Sequence, residues 1–337
     1  MSAESSPVKI SVVVASFNRA HYLPGALESL TRQETDDRFQ YEVFVVDNAS
    51  TDNTAAVVRE FAATSAVPVH YLHEAKPGDA PPRNHGIRQS DGDWIAFFDD
   101  DQFAEPHWLR NLLRVAIERE TLIVGGPVCL DLEDAVCGQL SAACRSTLRE
   151  MKPYAHDQPY EPHVIPGTGN MLVARAVFDR VGLFAEDIKE GGSDWKLVND
   201  ARGHSIEPWY AAQATIRHRV EGNRLSPAYF RWDAQNGGVS QADFDLRRSG
   251  LRGLLLRCAA RLGRGLAFLP GHLWSLLRQP AHGSSQASMV WWRTAGYLRR
   301  AVTITAPNLC PQRRFHSYVD FRNGRTIGTE SQPCPPL

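Results

Sequence analysis

Between Leu246 and Val319 the sequence contains no aspartate, no glutamate and no lysine, yet it carries 12 arginines. A stretch like that has no acids of its own to pair with, so its charge must be answered from elsewhere. The 337 residues as a whole are close to balance at −1. Removing the 14 arginines and two acids beyond residue 245 from the 37 basic and 38 acidic residues leaves 23 and 36, a net of −13 for residues 1–245. The balanced total therefore conceals an acidic body and a basic C-terminal region. Cysteine is also scarce. The six, at 129, 137, 144, 258, 310 and 334, show no Cys-x-x-Cys spacing. This argues against a zinc knuckle, and the count is too low for a disulfide scaffold. No apolar run reaches the 18 residues a membrane-crossing helix needs. Met1–Pro7 is polar, without an apolar signal core, so cytoplasm is the expected compartment. The loop Ala15-Ser16-Phe17-Asn18 contains no glycine, which excludes a glycine-rich phosphate grip after the first strand.

What is present alternates. Val8–Ser16, Tyr41–Asp47, Val69–Leu72 and Asp93–Phe98 are short and rich in β-branched or aromatic residues, as buried parallel strands are. Between and after them, helical spacing predicts helices over residues 18–33, from Ser50 through Phe61, over 84–89, and from Pro106 through Ile117. Strand and helix in alternation predict an α/β, mostly parallel sheet flanked by helices. Leu122–Leu130 reads as a strand broken at Gly125-Gly126-Pro127, 132–166 as an irregular insertion, Gly167–Val173 as a strand, 193–201 as a short helix, and Ile206–Val220 as one or two strands. From Leu251 to Leu277, leucines and arginines interleave at helical intervals, with breaks expected at Gly263, Gly265 and Pro270-Gly271. The expected organisation is a body over 1–245, divided into halves 8–130 and 131–245, followed by a basic helical region over 246–337.

The strongest chemical signal is Trp94-Ile95-Ala96-Phe97-Phe98-Asp99-Asp100-Asp101. A buried strand cannot hold three unpaired carboxylates, so they must emerge at its C-terminal end, where open α/β sheets bind ligands. Clustered carboxylates repel one another, and a hard divalent cation holding a diphosphate resolves that repulsion. Three further polar segments follow strands or precede a helix: Ala15–Arg19, Val46–Asp52 and Arg83–Gly86. A fourth is Gly191-Gly192-Ser193-Asp194.

VVVASFNRAHYL, VVDNASTD, PPRNHGI, GDWIAFFDDD, GTGNMLV and GGSDWKL occur in this order between Val12 and about His218. In this the chain resembles the family-2 inverting glycosyltransferases of GT-A fold. That resemblance implies transfer of a single hexosyl or N-acetylhexosaminyl unit from a nucleotide-diphosphate sugar to a glycan or glycolipid, with Mn2+ or Mg2+. It implies that Ala15, Phe17, Asp47 and Asn48 face the nucleotide base and that Arg83 neutralises the diphosphate. Asp99 or Asp100 would contact ribose or donor sugar, and Asp101, joined by His218, would ligate the metal. Gly169 would form a floor under the sugar, and Asp194 would be the catalytic base. Relatives commonly place Glu before that Asp, whereas this chain has Ser193; a catalytically impaired nucleotide-sugar-binding scaffold is the alternative that this departure suggests. A sugar-1-phosphate nucleotidylyltransferase is the other alternative, disfavoured by the missing glycine loop. Trp195 and Trp209 read as packed tryptophans. Arg231-Trp232 matches the end of the Gln-x-x-Arg-Trp signature of processive synthases, but the Gln is absent. The basic region reads either as a helical subdomain pairing with acids or as peripheral contact with an anionic membrane, at the inner face of the cell membrane. Leucine and tryptophan between its arginines fit that better than nucleic acid, which is not an expected partner.

Overall fold

The computed structural model describes residues 7–188, 192–278 and 284–308. In chain order the strands and helices are β1 (Val8–Ser16), α1 (Leu23–Leu30), β2 (Phe39–Asp47), α2 (Thr54–Thr64), β3 (Val69–His73), α3 (Ala80–Gln89), β4 (Trp94–Asp99), β5 (Gln102–Ala104), α4 (Trp108–Glu118), β6 (Ile123–Gly125) and β7 (Val128–Asp131). Then come α5 (Asp134–Gln139), α6 (Ala142–Thr147), β8 (Gln158–Pro159), β9 (Asn170–Ala174), α7 (Arg175–Val181), α8 (Ser193–Gly203), β10 (Trp209–Tyr210), β11 (Ile216–Arg219), α9 (Pro227–Arg278) and α10 (Gln286–Thr305). The described residues fall into two compact units, one drawn from Met1–Asp131 and Glu150–Arg219, the other from Leu132–Arg149 and Val220–Leu337. The boundary expected between residues 245 and 246 lies inside α9.

In the first unit an eight-stranded sheet runs β3-β2-β1-β4-β9-β6-β10-β8. β1 to β4 are mutually parallel and β9 runs antiparallel between β4 and β6. This is the mostly parallel α/β sheet that the alternation predicts. Ile10, Val12, Val13 and Val14 of β1 are all at most 1% exposed. Each such side chain contributes roughly 1.5–3 kcal/mol by leaving water. The buried Ser11 hydroxyl is satisfied by donating to Glu42, as a polar group there must be. α1 covers one face with Leu23, Ala26, Leu27 and Leu30.

α1 is shorter than the helix expected over 18–33. Asn18 has φ of 53°, a left-handed turn that a right-handed helix cannot contain. Pro24 sits in the first turn, the place where its missing N–H costs nothing. The same logic lengthens α3, whose first turn accepts the prolines that made a start at Asn84 look natural. The break at Gly126-Pro127 diverts the chain: β7 leaves the main sheet and joins a second, three-stranded sheet in the order β5-β11-β7. A Cβ on Gly126 would lie 2.2 Å from the Ala214 carbonyl oxygen, so only glycine fits this divergence. The stretch 132–166, expected to be irregular, holds α5, α6 and β8.

In the second unit α9 departs from expectation. It runs on through Gly263, Gly265 and Pro270, and its one non-helical residue is Gly250, with φ of 64°. Gly265 serves packing instead, because a Cβ there would come within 2.7 Å of Thr294. The kink lets both Gly238 and Gly265 lie against Arg293–Thr294 of α10. Backbones nearly touch at Gly238 and Gly296, where an added Cβ would sit 2.1 Å from a carbonyl oxygen. The buried Asp245 accepts from the Tyr297 hydroxyl at 2.9 Å and lies 3.5 Å from Arg257. Arg261 stacks over Tyr297, and Arg300 donates to Asp243. Part of the arginine excess of α9 and α10 is thus answered by two acids in the first half of α9. Cys129, Cys137, Cys144 and Cys258 are free thiols; Cys310 and Cys334 lie outside the described residues.

Candidate active site

The first unit gathers its polar residues at the C-terminal edge of β1, β2 and β4. Register does much of the work, placing Ala15 beside Asp99 and Ser16 beside Asp47. The following loops are stitched together. The Asn18 amide N–H donates to Ser50 Oγ, and Thr51 N–H donates back to Asn18 Oδ1 at 2.7 Å. Phe17 leaves this edge with its ring half exposed.

The three aspartates occupy three different environments. Asp99, closing β4, has the most solvent. Its carboxylate lies 3.7 Å from Arg83 and 3.4 Å from the Gln102 amide nitrogen. Gly169 stands over it, since a Cβ at that position would fall 2.7 Å from Asp99 Oδ2 and 2.4 Å from Gln102 Nε2. Asp100 turns inward and accepts from the Ser16 hydroxyl at 2.7 Å. Burial, and then the neighbouring charge of Asp101, push its carboxyl up to about 8. Asp101 is also nearly buried. Its Oδ1 faces His218 Nε2 at 3.4 Å, and its Oδ2 faces Arg19 at 3.7 Å. His218 reaches this place because β11 pairs with β5 in a register that sets His218 opposite Gln102. The Arg219 N–H donates to the Asp101 carbonyl at 2.9 Å.

Arg19 and Arg219 lie over the Tyr22 ring at 5.0 and 5.3 Å. Ser16, Arg19, Gln102 and Arg219 carry no assigned role in the sequence reading, although all four touch the aspartates or the side chains packed on them. The signal for Arg19 was adjacency to Phe17-Asn18. Arg219 and Gln102 had none, because only strand pairing brings them here.

Asp47 and Asn48 are engaged with protein. Asp47 accepts from Ser50 N–H and from the Tyr71 hydroxyl, both at 2.8 Å. Burial, and then this carboxylate, hold the Tyr71 phenol up at about 12. Asn48 donates to the carbonyls of Glu74 and Lys76 and accepts from Gly78 N–H. Both its amide protons are spent on the loop over residues 74–78, so any contact to a base is left to a remaining carbonyl lone pair. Arg83 donates to the Asp79 carbonyl as well as facing Asp99. Its neighbour Asn84 bonds to Phe184 and to Glu186, which also pairs with Lys76.

Asp194 lies in the first turn of α8 and accepts from Trp195 N–H at 2.7 Å. The helix starts after Gly192, at φ of 100°. It is seated by Leu197, Val198 and Ala201 in the core shared with Phe97 and Met171. Gly191 lies outside the described residues. Trp195 is half exposed, whereas Trp209 packs against the core with Arg119 over its ring.

Among the described residues no three His, Cys, Asp or Glu side chains form a ready-made metal cluster. Mg2+ and Mn2+ do not require one, since they bind through one or two protein ligands plus substrate phosphates and water. Asp101 and His218 fit that role. An oxygen and a nitrogen donor, both nearly buried, face each other across 3.4 Å, close to the roughly 3 Å between adjacent ligands of an octahedral ion.

A sheet with this strand order, closed by aspartates at its C-terminal edge, defines a GT-A-type α/β protein. The pattern of glycosyl transferase family 2 matches residues 11–182, just over half the chain, and the chain belongs to that family. It is 28% identical over 199 residues to the glycosyltransferase AglE of Haloferax volcanii, covering 58% of this chain and 63% of AglE. It is 31% identical over 104 residues to the poly(ribitol-phosphate) beta-N-acetylglucosaminyltransferase TarS of Staphylococcus aureus, covering 31% and 18%. The chain thus spans less than two thirds of the length of these curated relatives. Among solved structures, the mannosyltransferase PcManGT of Pyrobaculum calidifontis, in complex with GDP-Man and Mn2+, superposes with a TM-score of 0.56 at 18% identity, over 90% of this chain and 88% of that one. The fold is therefore shared. No described helix is long and apolar enough to cross a membrane.

Proposed function

We propose that this family-2 chain is a metal-dependent, inverting glycosyltransferase that moves one sugar from a nucleotide-diphosphate donor to a hydroxyl of a glycan or glycolipid. The observation that carries the reading is Asp101 against His218 just after β4, two residues beyond the Asp99 that Gly169 closely approaches. Asp101 and His218 would hold Mn2+ or Mg2+, which, when bound, offsets the charge building on the departing diphosphate. The Mn2+ in PcManGT supports the choice of metal. Arg83 and Arg19 supply guanidinium charge to the same region. Asp99 or Asp100 would contact a sugar or ribose hydroxyl, and Ala15 and Phe17 would face the base.

Asp194 takes the proton of the acceptor hydroxyl as that oxygen bonds to the anomeric carbon. The bond from that carbon to the diphosphate oxygen breaks at the same time, and its electron pair leaves with the nucleoside diphosphate. One displacement inverts the anomeric centre. A glycolipid acceptor would bring the protein to the inner face of the cell membrane as a peripheral enzyme.

A panel of nucleotide sugars, with and without Mn2+, tests this by thermal unfolding. A native-state ligand raises the melting temperature. Asp101→Ala should abolish the metal-dependent shift. Asp194→Ala should keep the shift and lose transfer. A protein that no donor stabilises would refute the donor site.

A further inference from the structure

The second half of α9 presents a stripe of exposed leucines. Leu251, Leu255, Leu262, Leu266, Leu273 and Leu277 recur at alternating steps of four and seven, which places them on one helical face. They are 47%, 50%, 43%, 51%, 54% and 79% exposed. A different face of the same segment, marked by Leu254, Gly265 and His272, packs on Tyr297, Thr294 and the Trp291–Trp292 pair of α10. The stripe is therefore surplus to the packing of the unit. At 1.5 Å per residue it extends for about 40 Å. The exposed Arg252 borders it, while the exposed Arg264 and Arg278 lie toward the far side of the helix. Arg257 and Arg261 turn back toward Asp245.

We infer that this leucine face is a monolayer-docking surface: the second half of α9 lies in the plane of an anionic lipid leaflet, leucines among the acyl chains and arginines at the phosphates. Charge selects this occupant over the two protein alternatives. Residues 246–319 hold 12 arginines and no acid. A second copy of the same segment would thus bring one arginine-rich, acid-free stretch against another, and residues 309–319 likewise hold arginine and no acid. Like charges brought together across an interface are costly, whereas an anionic lipid surface attracts each arginine by about 1 kcal/mol. The helix cannot span the bilayer, and a basic helix with a leucine stripe is the form that lies on it. The surface belongs to the helical unit alone and does not depend on the transfer reading.

Flotation of the full chain decides it, using vesicles of phosphatidylcholine alone or mixed with phosphatidylglycerol. The protein should float with the mixed vesicles and about tenfold less with the neutral ones. Leu255→Ser, Leu262→Ser and Leu266→Ser combined should abolish flotation while keeping the melting temperature and the donor-induced shift. Arg252→Gln should reduce the preference for anionic vesicles and its sensitivity to salt. Failure of the unaltered chain to float at low salt would overturn the inference. Undiminished flotation of the triple serine variant would do the same. So would light scattering that shows a dimer which the serine variant converts to monomer while vesicles bind neither. Flotation that persists in a protein no nucleotide sugar stabilises would uphold the surface and refute only the transfer reading.

Discussion

Asp101 Oδ1 and His218 Nε2 stand 3.4 Å apart although 117 positions separate them in the chain, and both side chains are at most 10% exposed. Under the proposed function this pair, with Arg19 3.7 Å from the other Asp101 oxygen, would hold the metal. Asp101→Asn and His218→Ala should each lose the Mn2+-dependent rise in melting temperature. Each should also lower turnover roughly 100-fold or more, because charge on the leaving diphosphate would go unanswered. Titration of the thermal shift with Mn2+ checks this; an unaltered metal response in both variants would remove the pair as ligands.

Gly169 carries a steric prediction. Ala at this position drives a methyl into Asp99 Oδ2 and Gln102 Nε2. Overpacking of this kind costs about 1–3 kcal/mol. Gly169→Ala should weaken donor binding more than it lowers stability, since the Asp99 carboxylate is what must give way. Melting temperature and donor affinity measured together would separate the two effects.

Asn48 holds the loop over residues 74–78 by three hydrogen bonds. Asn48→Ala should destabilise the first unit by about 1–3 kcal/mol and make this loop sensitive to limited proteolysis. Asn48→Asp keeps the acceptor for Gly78 but sets a carboxylate against the Glu74 and Lys76 carbonyls. It should therefore behave like the alanine variant and not like a conservative change.

His272 gives the helical unit a pH dependence. Its imidazole is buried against Ser288, Trp291 and Trp292, and burial holds its pKa below the ordinary 6.5. Above 6.5 the ring is neutral in both folded and unfolded chains. As pH falls below that value the unfolded chain takes up a proton that the folded one refuses, so stability declines with acid. Urea unfolding at neutral and mildly acidic pH should show this loss, and His272→Phe should flatten it.

The contrast between legible and illegible features follows from range. Val8–Ser16 and Asp93–Phe98 announce buried strands, because hydrophobic pattern is local and a carboxylate triplet can only follow such a strand. Asn18 and Pro24 shortened α1 through turn chemistry that residue spacing does not reveal. Gly265 reads as a break because a glycine that admits a neighbouring helix looks the same, in one dimension, as a glycine that ends one, whereas Gly263 is carried through the helix with open space around it. At the site, Asp99, Asp100 and Asp101 were visible as a group, but not that Ser16 would hold the middle one in while Gly169 crowded the first.

By itself the sequence determined the alternating α/β order, the edge at which the aspartates emerge, and the segregation of arginine into an acid-free C-terminal region, all of which depend on neighbours within a few residues. Only tertiary structure decided that Arg19 faces Asp101, that Asn48 is spent on a loop, and that α9 kinks at Gly250 with a leucine face outward. Those outcomes depend on strand register and helix contact between distant segments, and no local pattern encodes which partner a side chain will meet.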